Sequence, residues 1–321
     1  MKICIFGKGS IGRRHQSIFK RLGCDVYFYR SKKLSNYKKK ISNDIYRYKD
    51  LKKIKFDLIC ICNPTSLHLK TFKKISLLTK NVFIEKPLVS NKKQFLIFKK
   101  IQKKYKINLF IGFMLRHDPR IIEIKKKILK HSYKKIRYAN FIWQTYLPKW
   151  HPWEDYRKSY AAQKKLGGGV ILTCSHEIDI AINLFGEVKN VFCTETKSNI
   201  NTDVENSIFL ILKHKNDIIS NLTIDFSSKI ENKRKFEIIL NDRVLKWNFN
   251  QNNYVILRKK DKRIKVKRSS KIQNIYLYQN QNILKSLKKR KSNQKFDKMF
   301  HTEKILFAAQ DSLKKNKFIK I

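Results

Sequence analysis

Along the first third of the chain, apolar residues come in short unbroken runs: Ile3-Cys4-Ile5-Phe6, Val26-Tyr27-Phe28-Tyr29, Leu58-Ile59-Cys60-Ile61-Cys62, Val82-Phe83-Ile84 and Leu109-Phe110-Ile111-Gly112-Phe113. Runs of this length without polar alternation predict strands buried on both faces, the kind that pair in parallel. Helical stretches separate them, Gln16 to Leu22 closing at Gly23 and the lysine-rich His68 to Thr79. The alternation predicts an α/β doubly wound parallel sheet up to about residue 118. After Pro119 a basic helix, Ile121 to Leu129, leads into segments that alternate with period two: Ile136 to Thr145, Val188 to Thr196, Ser207 to Leu212, Ile218 to Phe226 and Phe236 to Leu240. That texture predicts an open, mainly antiparallel sheet. A helix beginning near Gly168 interrupts it, and helical patterns close the chain around Gln279 to Lys289 and Glu303 to Lys314. The expected organisation is two domains, residues 1–118 and 119–321.

Composition changes this picture little. A chain of 321 residues with 42% hydrophobic and 12% aromatic residues can bury substantial cores and is not disordered, despite a formal net charge of +50. Basic residues run along the whole length, and lysine, asparagine, isoleucine, tyrosine and phenylalanine are abundant together, the mark of an AT-rich genome. Nucleic acid is therefore not the expected partner, although the field would attract anionic substrates. The densest basic stretches are Arg258 to Arg268 and Lys285 to Lys295. Six cysteines, Cys4, Cys24, Cys60, Cys62, Cys174 and Cys193, lack metal-ligand spacing, so no metal site is expected and the pattern fits a reducing cytoplasm. No apolar stretch reaches membrane-spanning length, and the N-terminal one is interrupted at Gly7.

The candidate chemistry begins in the first turn. Gly7-Lys8-Gly9-Ser10-Ile11-Gly12 follows a strand and opens a helix, the context in which such glycines form a dinucleotide-binding turn. Gly7, Gly9, Ser10, Ile11 and Gly12 are its candidate cofactor contacts, with the helix N-terminus facing a pyrophosphate. The end of the second strand, where an acid would hold the ribose 2′-hydroxyl of NAD, carries Arg30-Ser31-Lys32-Lys33. Cations and a hydroxyl there suit a 2′-phosphate, so Arg30 and Ser31 favour NADP over NAD. Asp25 lies at the strand's start.

Further motifs follow in order: Asn63-Pro64-Thr65-Ser66-Leu67-His68, Glu85-Lys86-Pro87, Gly112 to Pro119, and Gly167-Gly168-Gly169 running through Ser175-His176-Glu177-Ile178-Asp179. In this order the chain resembles the glucose-fructose oxidoreductase/inositol dehydrogenase/rhizopine catabolism (Gfo/Idh/MocA) family over most of its length. The resemblance implies a Rossmann domain followed by an α/β domain whose open sheet commonly mediates homo-oligomers. It also implies hydride transfer between a nicotinamide and a carbinol or carbonyl carbon of a sugar. By that analogy Asn63, Pro64, His68, Glu85 and Lys86 lie at the cofactor. Lys86 polarises the reacting oxygen and His176 accepts or donates the proton.

The family usually has an aspartate one turn before this histidine, and here Leu172 and Thr173 stand in the candidate positions. On a helix Thr173, His176 and Asp179 recur every three residues and share a face, so Thr173 is expected to hydrogen-bond the histidine or substrate. Asp179 either orients His176 or forms a salt bridge. Arg116, from the segment between the domains, is a further candidate substrate contact. The stretch Trp150 to Tyr160 offers Trp153 and Tyr156 for stacking on a sugar and Arg157 for a carboxylate or phosphate. This loop, with the following His176-Glu177-Ile178-Asp179, resembles a branch of the family found among surface-polysaccharide and nonulosonate biosynthesis enzymes, which implies a nucleotide-linked or acidic sugar. The missing aspartate leaves a second reading open, a non-catalytic dinucleotide-binding sensor or scaffold.

Overall fold

The computed structural model describes residues 1–30, 43–131, 135–196, 198–251, 253–258, 264–267, 272–289 and 300–321. Ser31, Lys32 and Lys33 lie outside the described residues, as do most of the two densest basic stretches. The chain forms two compact units, Met1–Gly112 with residues 276–289, and the remainder from Phe113.

In the first unit, β1 (Lys2–Phe6), β2 (Asp25–Tyr29), β3 (Asp44–Ile45), β4 (Leu58–Ile61), β5 (Asn81–Ile84) and β6 (Asn108–Ile111) make one parallel sheet in the order β3-β2-β1-β4-β5-β6. This is the strand order of the Rossmann fold, with its switch point at the C-terminal end of β1. Helices α1 (Ser10–Arg21), α2 (Tyr48–Lys52), α3 (His68–Ile75) and α4 (Lys92–Tyr105) connect the strands. Ile3, Ile5, Leu58, Cys60 and Phe83 are buried on a core that also takes in Phe19, Val26 and Phe28, which accounts for the unbroken apolar runs. All six cysteines are free and buried.

The chain does not divide at a single cut near residue 118. Helix α8 (Ile272–Lys288) returns from the far end of the sequence, and Ile283 and Leu284 belong to the same core cluster as Ile3 and Phe83. Its helical spacing was readable, but no local signal says which core an amphipathic helix covers.

In the second unit, helix α5 (Pro119–His131) leads into β7 (Ile136–Gln144), β8 (Val188–Glu195), β9 (Ser207–His214), β10 (Ile219–Asp225), β11 (Lys233–Leu240), β12 (Arg243–Asn248), β13 (Asn253–Arg258), β14 (Ile264–Lys267) and β15 (Ile319–Lys320), which form a nine-stranded sheet in the order β14-β13-β12-β11-β7-β10-β9-β8-β15. Only β7 and β10 (Ile219–Asp225) pair in parallel, and the rest is antiparallel. Burial alternates strictly in β11 (Lys233–Leu240), as expected of a sheet covered on one face. Helix α7 (Ser175–Phe185) and the final helix, His301–Lys315, pack against it. The sheet extends beyond the expected segments through β12 (Arg243–Asn248), β13 (Asn253–Arg258) and β14 (Ile264–Lys267). No helix among the described residues is long and apolar enough to cross a membrane.

Candidate functional site

The glycine turn at the end of β1 is built so that only glycine fits. Gly7 adopts φ +106°, and a Cβ there would lie 2.6 Å from the backbone of Cys62 and Asn63. A Cβ on Gly12 would lie 1.9 Å from the Gly7 carbonyl oxygen, so this glycine lets α1 start against the turn. Before Gly9 the space is open, and no side chain caps the N-terminus of α1, whose first turn holds no acid. Uncapped N–H groups facing open space are what a pyrophosphate needs. Beside the turn lies a cavity of about 480 Å³ lined by residues that include Gly7, Lys8, Arg30, Asn63, Pro64, Lys70 and Lys74. Asn63 Nδ2 donates to Thr71 Oγ1 at 2.8 Å, while its buried Oδ1 has no hydrogen-bond partner among the described residues. A buried acceptor left open at a cavity wall fits a ligand that donates. These residues suit a dinucleotide, and Arg30, Asn63 and Pro64 all line the cavity. Ser10 is exposed at the start of α1, whereas Ile11 packs against the core cluster of this unit instead of lining the cavity.

The cavity is strongly cationic, and two of the four cations among its described lining residues share one acid. Asp44 accepts from Lys8 Nζ at 3.0 Å, Arg30 Nη1 at 3.3 Å and the Tyr46 hydroxyl at 3.3 Å. Lys74 Nζ donates to the Tyr29 hydroxyl at 2.7 Å and lies over the rings of Tyr29 and Tyr48. Lys8, Lys70, Lys74 and Asp44 were missed in the sequence. Lys8 stands inside the motif, and Lys70 and Lys74 are one turn apart on the helix after Asn63, so all three were findable. Asp44 was not, because a two-residue strand brings it beside Arg30.

Two motif residues expected at the cofactor are engaged elsewhere. Glu85 is buried, its Oε1 2.8 Å from His15 Nε2 and its Oε2 accepting from the Lys86 N–H at 3.2 Å. Asn280 Nδ2 donates to His15 Nδ1 at 3.1 Å, which leaves the ring proton on Nε2 for Glu85. A Cβ on Gly112 would come within 2.8 Å of Glu85, so that glycine makes room for the carboxylate. His68 is buried too, with Nε2 2.8 Å from the Asn63 carbonyl and Nδ1 3.1 Å from that of Pro87. It ties the Asn63 loop to the Lys86 loop, and burial pulls its pKa down. Lys86 itself is half-buried, before a cis peptide bond to Pro87.

In the second unit, the expected continuous helix is two. Helix α6 (Val170–Thr173) ends at Cys174, with φ −95° and ψ 26°, and α7 starts afresh at Ser175. Thr173 therefore does not continue the i, i+3 face of His176 and Asp179. Thr173 and His176 are both buried, and the His176 ring meets Phe113 edge-on at 6.1 Å. Asp179, fully buried, accepts from Arg116 Nε at 2.8 Å and Nη2 at 2.5 Å and from Thr302 Oγ1 at 2.8 Å. Of the two roles open to Asp179, the structure shows the salt bridge. Its partner is Arg116, whose fork is thereby taken up; burial works against the guanidinium charge, but Asp179 more than restores it. Behind them Glu303 is completely buried with both oxygens unpartnered among the described residues. Burial and, beyond it, the Asp179 charge push its pKa to about 8. Glu177, next to His176, pairs with Arg234 at 2.7 Å, and Arg234 lies 3.9 Å over the Trp143 ring.

The 147–166 loop is a chain of single 3₁₀ turns. Trp153 is 80% exposed and stacks on His151, Tyr156 is half-buried, and Arg157 is exposed with its fork on Asp155 at 2.9 and 3.0 Å. No cluster of His, Cys, Asp and Glu fit to hold a metal occurs among the described residues.

A six-stranded parallel sheet with a glycine turn at its switch point, together with a second unit built on a large, mainly antiparallel sheet, defines a dinucleotide-binding protein of two-domain type. Two family models match in succession: "Oxidoreductase family, NAD-binding Rossmann fold" over residues 1–113 and "GFO/IDH/MocA C-terminal domain" over residues 122–245. The chain belongs to the GFO/IDH/MocA oxidoreductase family. Among solved structures it is similar to a NAD binding oxidoreductase from Klebsiella pneumoniae, at TM-score 0.85 and 12% identity, covering 100% of this chain and 99% of that one. It is similar as well to levoglucosan dehydrogenase in complex with NADH and L-sorbose, at TM-score 0.84 and 14% identity over 100% and 98%. An oxidoreductase from Agrobacterium radiobacter in complex with NAD+, L-tartaric acid and magnesium matches at TM-score 0.80 and 14% identity over 100% and 98%. At these identities the likeness is one of fold. No curated protein matches the chain.

Proposed function

We propose that this chain is an NADP-preferring sugar oxidoreductase that moves a hydride to or from a carbinol or carbonyl carbon of a nucleotide-linked or acidic sugar in glycan biosynthesis. The observation that carries the cofactor reading is the cavity beside the glycine turn, where Lys8, Arg30, Lys70 and Lys74 converge. Four cations around one nucleotide-sized hollow favour the additional phosphate of NADP. The sugar reading is supported by family membership, by the aromatic 147–166 loop with exposed Trp153, and by levoglucosan dehydrogenase among the similar structures.

The bound nicotinamide supplies or accepts the hydride. In this reading Lys86 polarises the reacting oxygen and His176 exchanges the proton. Thr173, Trp153, Tyr156 and Arg157 contact the sugar, the last after its carboxylate partner Asp155 gives way. Arg116 and Asp179 support that site through their mutual ion pair. The outer face of the second sheet, with Tyr138, Phe209 and Ile219 exposed, supports a homo-oligomer joined there.

Replacing Lys86 by Ala is expected to lower turnover at least 100-fold while NADPH affinity changes less than about threefold. Turnover that survives the change would refute the role given to Lys86. A second reading has its own observation, Leu172 and Thr173 in place of the family's aspartate. It makes the chain a dinucleotide-binding sensor, and it would be favoured by tight NADPH binding with no cofactor turnover across a broad sugar panel.

A further inference from the structure

Among the described residues Asp44 is the acid that touches the cationic wall of the nucleotide cavity, and its placement is set by the sheet. β3 pairs with the end of β2, Phe28 opposite Asp44 and Tyr29 opposite Ile45, and the Arg30 N–H continues the ladder to the Ile45 carbonyl at 2.9 Å. That register puts the carboxylate under both Lys8 and Arg30. The Asp44 side chain is 2% exposed, against 27% for Lys8 and 32% for Arg30, so the acid sits behind the two cations and they face the solvent side. Its other contact is the Tyr46 hydroxyl, which also donates.

We propose that Asp44 sets the ratio in which this chain binds the two nicotinamide dinucleotides, its buried charge disfavouring a ribose 2′-phosphate relative to a 2′-hydroxyl. The proposal rests on the dinucleotide reading of the cavity. Lys8 and Arg30 attract the 2′-phosphate, but each already has part of its charge balanced by Asp44. A phosphate reaching the same two cations arrives one side chain away from a like charge that is 2% exposed behind them. A neutral hydroxyl meets no such repulsion and can donate to the carboxylate if either cation shifts. Asp44 thus narrows a preference that the cations alone would make wide. A role confined to holding β3 in place would weaken both dinucleotides together.

The test is calorimetric titration of the purified, ligand-free chain with NADPH and with NADH. Asp44→Asn keeps the shape and removes the charge, and it is expected to raise the ratio Kd(NADH)/Kd(NADPH) by about tenfold or more, the scale of a charge pair at this separation. Asp44→Glu restores the charge and is expected to keep the ratio within about threefold of the parent. Thermal unfolding checks that each variant is folded; if Asn is not accommodated, Asp44→Ser removes the charge with a smaller side chain and is read the same way. A ratio that stays within about threefold in the neutral variant, or moves toward NADH, overturns the proposal. If the parent chain binds neither dinucleotide, the reading of the cavity fails and the proposal with it. If the parent prefers NADH yet the neutral variant shifts toward NADPH, the NADP preference fails while the role of Asp44 stands.

Discussion

Glu303 lies fully buried in the second unit, with no hydrogen bond to its carboxyl from any other described residue and with the charge of Asp179 nearby. Its pKa in the fold, about 8, stands above the ordinary 4.5, so the folded state holds a proton there that the unfolded chain releases. Stability from this group is complete below pH 4.5 and is lost as pH rises toward about 8. Glu303→Gln mimics the protonated acid. Its melting temperature is expected to exceed that of the parent by a margin that grows from pH 5 to about 8 and then levels off, as thermal melts across pH would show. A margin independent of pH would mean that Glu303 does not titrate there. The same scale shows what one sequence can and cannot disclose about polar residues. Gly7, Arg30 and Asn63 line the cavity beside the glycine turn. Glu85 and His68 come from motifs equally strong, yet they turn inward to His15 and to backbone carbonyls. Motif spacing fixes which loop a residue is on, but the direction of the side chain depends on partners such as Asn280, 265 positions away from His15.

Among the elements, the strand–turn–helix β1-α1 is the most completely determined by local sequence, because each glycine answers a contact distance. Gly12→Ala is expected to abolish dinucleotide binding by calorimetry, since its Cβ would press into the Gly7 carbonyl at 1.9 Å and force α1 away from the turn. The expected cost in stability is about 1–3 kcal/mol, read from denaturant unfolding. Retained binding would show that the turn tolerates displacement. In the first sheet β1, β2, β4, β5 and β6 were legible as short apolar runs, unbroken in β1, β4 and β5 because both faces are buried, whereas the two-residue β3 left no run; β7 to β11 were legible because burial on one face leaves alternation. The break at Cys174 was not legible. Val170 to Phe185 reads as one apolar helical stretch, and nothing in Leu172-Thr173-Cys174-Ser175 contains the proline or glycine that usually ends a helix. The consequence reaches the chemistry: the helix-face relation between Thr173 and His176 drops out, while that between His176 and Asp179 survives within α7.

At the scale of the whole molecule, the first unit is assembled from two stretches of chain that lie far apart in sequence. Leu284 and Ile283 complete a core otherwise made of residues 3 to 110. Leu284→Ala is expected to destabilise by about 2–5 kcal/mol in denaturant unfolding, and to loosen dinucleotide binding, although the residue lies far along the chain from every cofactor motif. A loss confined to the second unit would contradict the packing of α8. The order of events at the ribosome follows from this arrangement. The nucleotide-binding half is synthesised first, but its apolar surface stays uncovered until more than 280 residues have emerged, so the half of the protein that begins the chain is among the last to be finished. A message cut short before the Ile283 codon would yield a complete set of cofactor motifs on a domain that lacks the residues that close its core.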